Sequence, residues 1–214
     1  MGTFITLEGP DGSGKTTQAH LLVSWLREQG LPVVQTREPG GSDIGDQIRG
    51  ILHDSANTRM MARTEFLLYS ASRAQHVAEM ILPALEEDRI VVSDRYADSS
   101  IAYQGYGRGL DLETILAITA FATQGLEPDL TLYFDIAAGE GLQRRLLSGE
   151  AWNRMDAEAL AFHQRVRRGY LELAEAAPSR WVVINANRPV EDVERNVRDV
   201  VDQRLKLDGR DEAV

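Results

Sequence analysis

The chain has 214 residues, with 33 Asp and Glu against 23 Lys and Arg, a formal net charge of −10 and no cysteine. That balance argues against a nucleic-acid polymer as partner, since such surfaces need clustered cations to displace counterions. The absence of cysteine excludes disulfides and thiolate metal sites and is compatible with a reducing cytoplasm. No apolar run approaches the ~20 residues needed to span a bilayer, so no membrane association is expected. The N-terminus lacks a basic segment followed by an apolar one, and no signal peptide is expected either. Without repeats, low-complexity stretches or Pro/Ser-rich linkers, residues 1–214 read as one domain.

In chain order, a short apolar strand at 4–7 is followed by Gly9-Pro10-Asp11-Gly12-Ser13-Gly14-Lys15-Thr16 and then by a helix over 15–29. The eight residues match G-x-x-x-x-G-K-[ST], and the strand–loop–helix setting is what a phosphate-binding loop requires. Its glycines let backbone N–H groups converge on one anion, and the helix N-terminus adds a positive dipole end. Lys15 is placed to reach the β- and γ-phosphates, with the Thr16 hydroxyl on Mg²⁺. This assigns an ATP- or GTP-binding chain.

A second strand at 32–36 runs into Arg37-Glu38-Pro39-Gly40-Gly41, and helices follow at 43–53 and 63–87. In the latter, Tyr69 and Arg73 lie four apart and share a helix face. An aromatic ring beside a planar donor fork suits a nucleobase. Taken alone, the pair reads more simply as a core tyrosine beside a solvated arginine. The third strand, 90–93, ends in Asp94-Arg95-Tyr96. A carboxylate there is the usual second holder of Mg²⁺ in phosphate-loop enzymes, and an adjacent arginine can grip a phosphate bidentately. The simpler alternative is a helix cap with a surface ion pair.

Ser99, Ser100, Tyr103 and Gln104 follow, then a glycine-rich turn at 105–109 and a helix at 111–124. These side chains either contact a sugar and base or form an ordinary capped helix and loop. The fourth strand is placed at 130–134 and a helix at 138–148. Arg144, Arg145 and Arg154 flank the connection 147–153, where a mobile lid would bring charge to a transferring phosphoryl group. A solvated helix face is the alternative for any one of them. The chain closes with a helix at 157–176, a strand at 181–184, a helix at 190–206 and a polar tail, 207–214. Five short Val/Ile/Leu-rich strands alternating with helices predict an α/β fold with a parallel sheet covered on both faces. In such sheets ligands sit at the carboxyl ends of strands. The phosphate loop, Arg37–Gly41 and Asp94–Tyr96 all fall there.

His20, His53, His76 and His163 lie in helical or flanking positions and read as surface or packing residues. An Asn-Lys-x-Asp motif is missing after every strand, which argues against a GTP-driven switch. Transfer to an existing phosphate oxygen needs no general base, whereas transfer to a sugar hydroxyl would benefit from a carboxylate.

Together the phosphate loop, Thr36-Arg37-Glu38-Pro39-Gly40-Gly41, Tyr69–Arg73, Asp94-Arg95-Tyr96 and the Ser99–Gly105 run resemble bacterial thymidylate kinases in order and spacing. The resemblance spans essentially the whole chain, ending at Asn185-Ala186-Asn187-Arg188-Pro189. It implies a three-layer P-loop nucleoside-monophosphate kinase fold with a five-stranded parallel sheet, and a cytoplasmic homodimer that moves the γ-phosphoryl of ATP to dTMP with Mg²⁺. On that basis Gly9, Pro10, Asp11, Gly12, Ser13, Gly14, Lys15, Thr16 and Thr17 would hold ATP, with Asn187 on the adenine side and Thr16 and Asp94 on the metal. Glu38, Arg49, Tyr69, Arg73, Arg95, Ser99, Ser100, Tyr103 and Gln104 would hold dTMP. Within that set, Arg95 and Arg49 take the phosphate, Tyr69 stands where the family stacks a Phe on thymine, and Arg73 and Ser100 match the base-reading positions. Tyr103 would crowd a ribose 2′ position and Gln104 would close over the base. Lys15, Asp94, Arg95 and Arg154 are the catalytic set. Positions 10–13 carry no arginine, which resembles the type that supplies charge from a lid (148–157) through Arg154, with Arg145 second. A deoxynucleoside kinase acting on a 5′-hydroxyl, or a non-catalytic nucleotide-binding module, are the alternatives.

Overall fold

A computed structural model describes residues 2–149 and 152–205, so the polar tail and part of the lid lie outside the described residues. Five strands, β1 (Thr3–Glu8), β2 (Val33–Arg37), β3 (Ile90–Asp94), β4 (Leu130–Asp135) and β5 (Trp181–Asn185), form one parallel sheet in the order β2-β3-β1-β4-β5. The order reverses beside β1, which opens a crevice at the carboxyl ends of β1 and β3.

The strands are apolar on both faces because helices cover both. Ile5, Leu7, Val92, Leu132, Phe134 and Ile184 pack with α1 (Lys15–Glu28) and α9 (Val190–Leu205) on one side. On the other, Phe4 and Val91 meet the helical run α3 (Ala62–His76) to α4 (Leu82–Glu86), and Tyr133 and Trp181 meet α8 (Leu160–Ala176). Burying such a side chain stabilises the fold by roughly 1.5–3 kcal/mol relative to leaving it exposed.

All five expected strands are present, and β1, β2, β3 and β4 each run on to include a charged residue: Glu8, Arg37, Asp94 and Asp135. Leu7 and Arg37 both pair in register with Asp94, so three strands end level and deliver three loops to one place. Two expectations need correction. The helix expected over 63–87 is interrupted by a wide π-helical turn, Val77–Ile81, just ahead of Pro83. Proline has no N–H to donate and its ring clashes with the carbonyl four residues back, so a regular helix cannot continue through it unaltered. The glycine-rich turn expected at 105–109 is largely helical. It continues α5 (Ala97–Ser100) as a π-helical segment, Ile101–Gly107. Gly107 is there for contact, since a Cβ on it would sit 2.6 Å from the Phe162 ring.

Candidate active site

The loop after β1 turns sharply and starts α1 at Lys15, with Gly14 in the left-handed region at φ 84°. Gly12 also has positive φ, and a Cβ there would lie 2.0 Å from the Gly141 carbonyl oxygen. Only glycine therefore lets α7 (Ala138–Leu147), which carries Arg144 and Arg145, abut the loop. Lys15 is buried and folds back, with Nζ 3.3 Å from the Pro10 carbonyl and 3.5 Å from Asp11 Oδ1. Burial and the nearby Arg95 charge lower the Lys15 pKa.

Asp94 closes β3. Its Oδ2 accepts from the Thr16 hydroxyl at 2.5 Å, while its Oδ1 is buried with no partner among the described residues. Arg95 adopts φ 73°, unusual for a non-glycine residue, and its N–H bonds Leu7 O at 3.0 Å. Its guanidinium donates to Asp11 Oδ1 (2.9 Å), Tyr103 Oη (3.1 Å), Ser99 Oγ (3.2 Å) and Tyr170 Oη (3.3 Å). Burial works against ionisation of Asp11, but the Arg95 and Lys15 charges outweigh it and hold the carboxyl well below the usual range. Asp11 thus bridges the phosphate-loop lysine and the strand-end arginine.

Beneath this pair lies Glu8, the last residue of β1, accepting from Ser99 Oγ (2.6 Å), Tyr170 Oη (2.8 Å) and the Tyr96 N–H (2.8 Å). Burial and the charge of Asp98 push its pKa up to about 7.

These elements wall one cleft of about 520 Å³. Asp11, Gly12, Gly14, Lys15, Thr16 and Thr17 line it, together with Arg37, Arg49 and Arg95 and with Glu38, Tyr69, Ser99, Ser100, Tyr103 and Gln104. Arg49, on α2 (Asp43–His53), donates to the Pro39 carbonyl at 3.0 Å. Burial, then the neighbouring Arg37 charge, lower its pKa. Burial pushes the Tyr69 hydroxyl up to about 12, keeping it protonated at neutral pH. The arrangement offers a loop suited to an anion with a lysine, two further arginines on α2 and just after β3, and room for a flat heterocycle.

Some expected residues lie elsewhere. Gly9, Pro10 and Ser13 shape the phosphate loop without lining the cleft. Arg73 is neither solvated nor in the wall; it is 1% exposed and sits a layer behind. Its Nε donates to Glu38 Oε2 (2.7 Å), Nη1 to Ser100 Oγ (3.0 Å) and Nη2 to the Tyr96 carbonyl (3.1 Å). Asn187 is exposed, and its side-chain oxygen accepts from Arg144 Nη2 at 2.8 Å. Arg154 is outside the wall as well: Nη1 pairs with Glu65 Oε2 at 2.5 Å, Nε donates to the Leu52 carbonyl at 3.1 Å, and Nη2 is buried without a partner among the described residues. Arg145 does line the cleft and is tied to the buried Asp156 at 3.1 Å.

The expectation that the histidines are surface or packing residues is corrected at His53, while His76 is a packing residue held by hydrogen bonds. His53 lines the cleft, and burial with the Arg49 charge lowers its pKa to about 4. His76 is fully buried between Glu38 Oε1 (3.1 Å) and Thr36 Oγ1 (2.6 Å). Sequence reasoning passed over Glu8, Arg37, Glu65 and Tyr170 as site residues. Glu8 carried a signal, a carboxylate inside an apolar strand. Tyr170 and Glu65 carried none, because nothing local says which helix face meets the sheet.

Comparison with known proteins agrees with this geometry. A family model described as thymidylate kinase matches residues 7–197. The chain is 48% identical over 225 aligned residues to a thymidylate kinase of Roseiflexus sp. (strain RS-1), covering all of both chains. It is 50% identical over 198 residues to one from Clostridium novyi (strain NT), covering 92% of this chain and 97% of that one. Among solved structures, the crystal structure of thymidylate kinase from Ehrlichia chaffeensis superposes with a TM-score of 0.75 at 33% identity, covering 94% of this chain and 98% of that one. A phosphate loop facing a strand-end arginine across one cleft is what such a kinase requires, and the chain belongs to the thymidylate kinase family.

Proposed function

We propose that this protein transfers the γ-phosphoryl of ATP to dTMP, giving ADP and dTDP. The observation that carries the reading is Arg95. A guanidinium turned into the cleft by a left-handed backbone faces the phosphate loop and, among the described residues, is held by hydroxyls and the Asp11 carboxylate. An acceptor that brings its own dianionic phosphate can replace those contacts with stronger charge-assisted ones. A 5′-hydroxyl acceptor cannot, and this disfavours the deoxynucleoside kinase alternative.

In this reading residues 9–17 cradle the ATP phosphates and Lys15 turns from the Pro10 carbonyl toward the β- and γ-phosphates. Asp94 and Thr16 fit a nucleotide-bound Mg²⁺, since Asp94 Oδ1 is buried with no partner and the Thr16 hydroxyl lies beside it. A Mg²⁺ ion of this kind is carried largely by phosphates and water, with one or two protein ligands. Bound there, Mg²⁺ would neutralise charge on the phosphate oxygens. Arg95 and Arg49 hold the acceptor phosphate in line, and its anionic oxygen attacks without a general base.

Tyr69 stacks on the base, and Tyr103 sets the sugar position. Glu38 holds Arg73, whose three bonds use three of its five N–H donors and leave capacity for a base carbonyl beside Ser100. Arg154 supplies lid charge after leaving Glu65; the unpartnered Nη2 supports that it has a better site elsewhere. Asn187 lies on the adenine side. A homodimer is supported by an unpartnered apolar face where α3 packs on α6 (Leu112–Thr123): Leu67, Leu116 and Phe121 are exposed there. Sedimentation at micromolar concentration should give twice the chain mass, and a monomer would remove this part.

The activity is tested by dTMP-dependent ADP release measured across dTMP, dUMP, UMP and thymidine. The reading predicts turnover led by dTMP with UMP and thymidine far behind. Turnover on thymidine alone, or tight ATP binding with no acceptor-dependent release, would replace it with one of the alternatives.

A further inference from the structure

Glu65 lies at the first turn of α3, fully buried, in a place the transfer chemistry does not use. Its Oε1 accepts from Gln104 Nε2 at 2.9 Å and from Arg108 Nε at 3.1 Å, and its Oε2 accepts from Arg108 Nη2 at 2.9 Å. Arg154 Nη1 adds a second cation at 2.5 Å. Burial alone would raise the Glu65 pKa, but the hydrogen bonds from Arg108 and Gln104 and the two arginine charges bring it below the usual value. The carboxylate is therefore ionised at neutral pH, and an ionised carboxylate only accepts.

That has a consequence for Gln104. Its amide has one donor arm and one acceptor arm, and Glu65 can take only the donor. Gln104 is 2% exposed and lines the base end of the cleft. No donor to its Oε1 is found among the described residues. The acceptor arm is thus left for whatever occupies the chamber, and the amide cannot flip without setting two acceptors against each other.

We propose that Glu65 is a positioning residue for acceptor specificity: it locks Gln104 with Oε1 toward the base, so that the site selects nucleobases presenting a ring N–H between two carbonyls. Thymine and uracil carry that N–H. Cytosine presents a lone pair at the same ring position and would face Oε1 unpaired. The inference rests on the dTMP kinase reading and names the group through which the base is chosen. Arg108 contributes by keeping Glu65 ionised and in place, so two residues that never touch the substrate set the polarity of one that does.

The test compares kcat/KM for dTMP and dCMP in the wild type and in Glu65→Gln. Glutamine at 65 can offer either arm, which frees the Gln104 amide to turn its NH₂ toward a ring lone pair. The dTMP-to-dCMP ratio should fall by about tenfold or more, the scale of one unpaired buried polar group. Any base preference due to Arg73 is the same in both proteins, and any change at Arg154, which Glu65 holds, acts on both acceptors alike, so both cancel in the comparison of ratios. Equal losses on both acceptors, with the ratio unchanged, would reduce Glu65 to a structural residue and overturn the proposal.

A second measurement covers a variant that does not fold. In the ligand-free wild-type protein, the side-chain amide of Gln104, assigned by its loss in Gln104→Leu, should show one downfield, slowly exchanging proton. Two protons exchanging as in a free amide would equally overturn the proposal. Failure of the wild type to turn over dTMP would instead sink the functional reading, and the amide signal would still decide the orientation.

Discussion

Arg73→Ala is expected to act on stability before it acts on binding. The guanidinium is 1% exposed and makes three hydrogen bonds, the shortest to Glu38 at 2.7 Å. Burial would raise the Glu38 pKa, yet the Arg73 charge and the His76 hydrogen bond hold it below the usual value. Deleting Arg73 leaves a buried carboxylate facing only a histidine. Removing one member of such a pair costs about 3–5 kcal/mol. In a chain of this length each kcal/mol moves Tm by roughly 2–4 °C, so a fall on the order of 10 °C is expected. Urea unfolding followed by tryptophan fluorescence, using the three tryptophans, reads the same loss as a lower midpoint. The decisive arm is Arg73→Ala combined with Glu38→Gln. Once Arg73 is gone the negative charge is a liability, so adding Glu38→Gln should cost nothing further or recover part of the loss. Two losses that simply add, or an Arg73→Ala effect below about 1 kcal/mol, would refute the pairing and the reasoning drawn from it.

Two other perturbations address Glu8 and Arg154. The Glu8 pKa is raised to about 7, so the folded state holds a proton between the ordinary carboxyl value of 4.5 and about 7 that the unfolded chain has released. Stability from this group is full below pH 4.5 and is lost as pH rises through 7, on the order of 3 kcal/mol in total. Glu8→Gln, which is neutral throughout, should therefore gain on the wild type between pH 5 and pH 8 in urea midpoints; parallel pH profiles would exclude the raised pKa. Arg154→Ala should lower kcat by tenfold or more with KM for dTMP changed by less than about threefold, because its contact is made in the transition state. An unchanged kcat would move the lid role to Arg145, which already lines the cleft.

Much of this was legible in the chain because it depends on local rules. The phosphate loop, the strand-end Asp94 and Arg95 and the five strands follow from period, glycine placement and the location of ligands in parallel sheets. Those rules put a residue on a strand end or a helix, but they do not set depth. Arg73 shares a face with Tyr69 as expected, yet Tyr69 lines the cleft while Arg73 sits behind it, bonded to Glu38, Ser100 and Tyr96. Depth is fixed by which neighbours supply acceptors, and Glu38 comes from the loop after β2, 35 residues away. Glu65 was invisible for the same reason: its partners Gln104, Arg108 and Arg154 are brought together only by the packing of α3 against the 101–107 segment and the lid. The interruption at 77–81 was readable in principle from Pro83, a residue that breaks regular helix geometry wherever it falls inside one.

The central claim is that the acceptor is a phosphate held by Arg95 opposite the phosphate loop. It is tested most directly by following the label from [γ-³²P]ATP with Mg²⁺ and either dTMP or thymidine. The account predicts label in dTDP from dTMP and none in dTMP from thymidine. Label appearing in dTMP from thymidine, with no dTDP formed from dTMP, would contradict it.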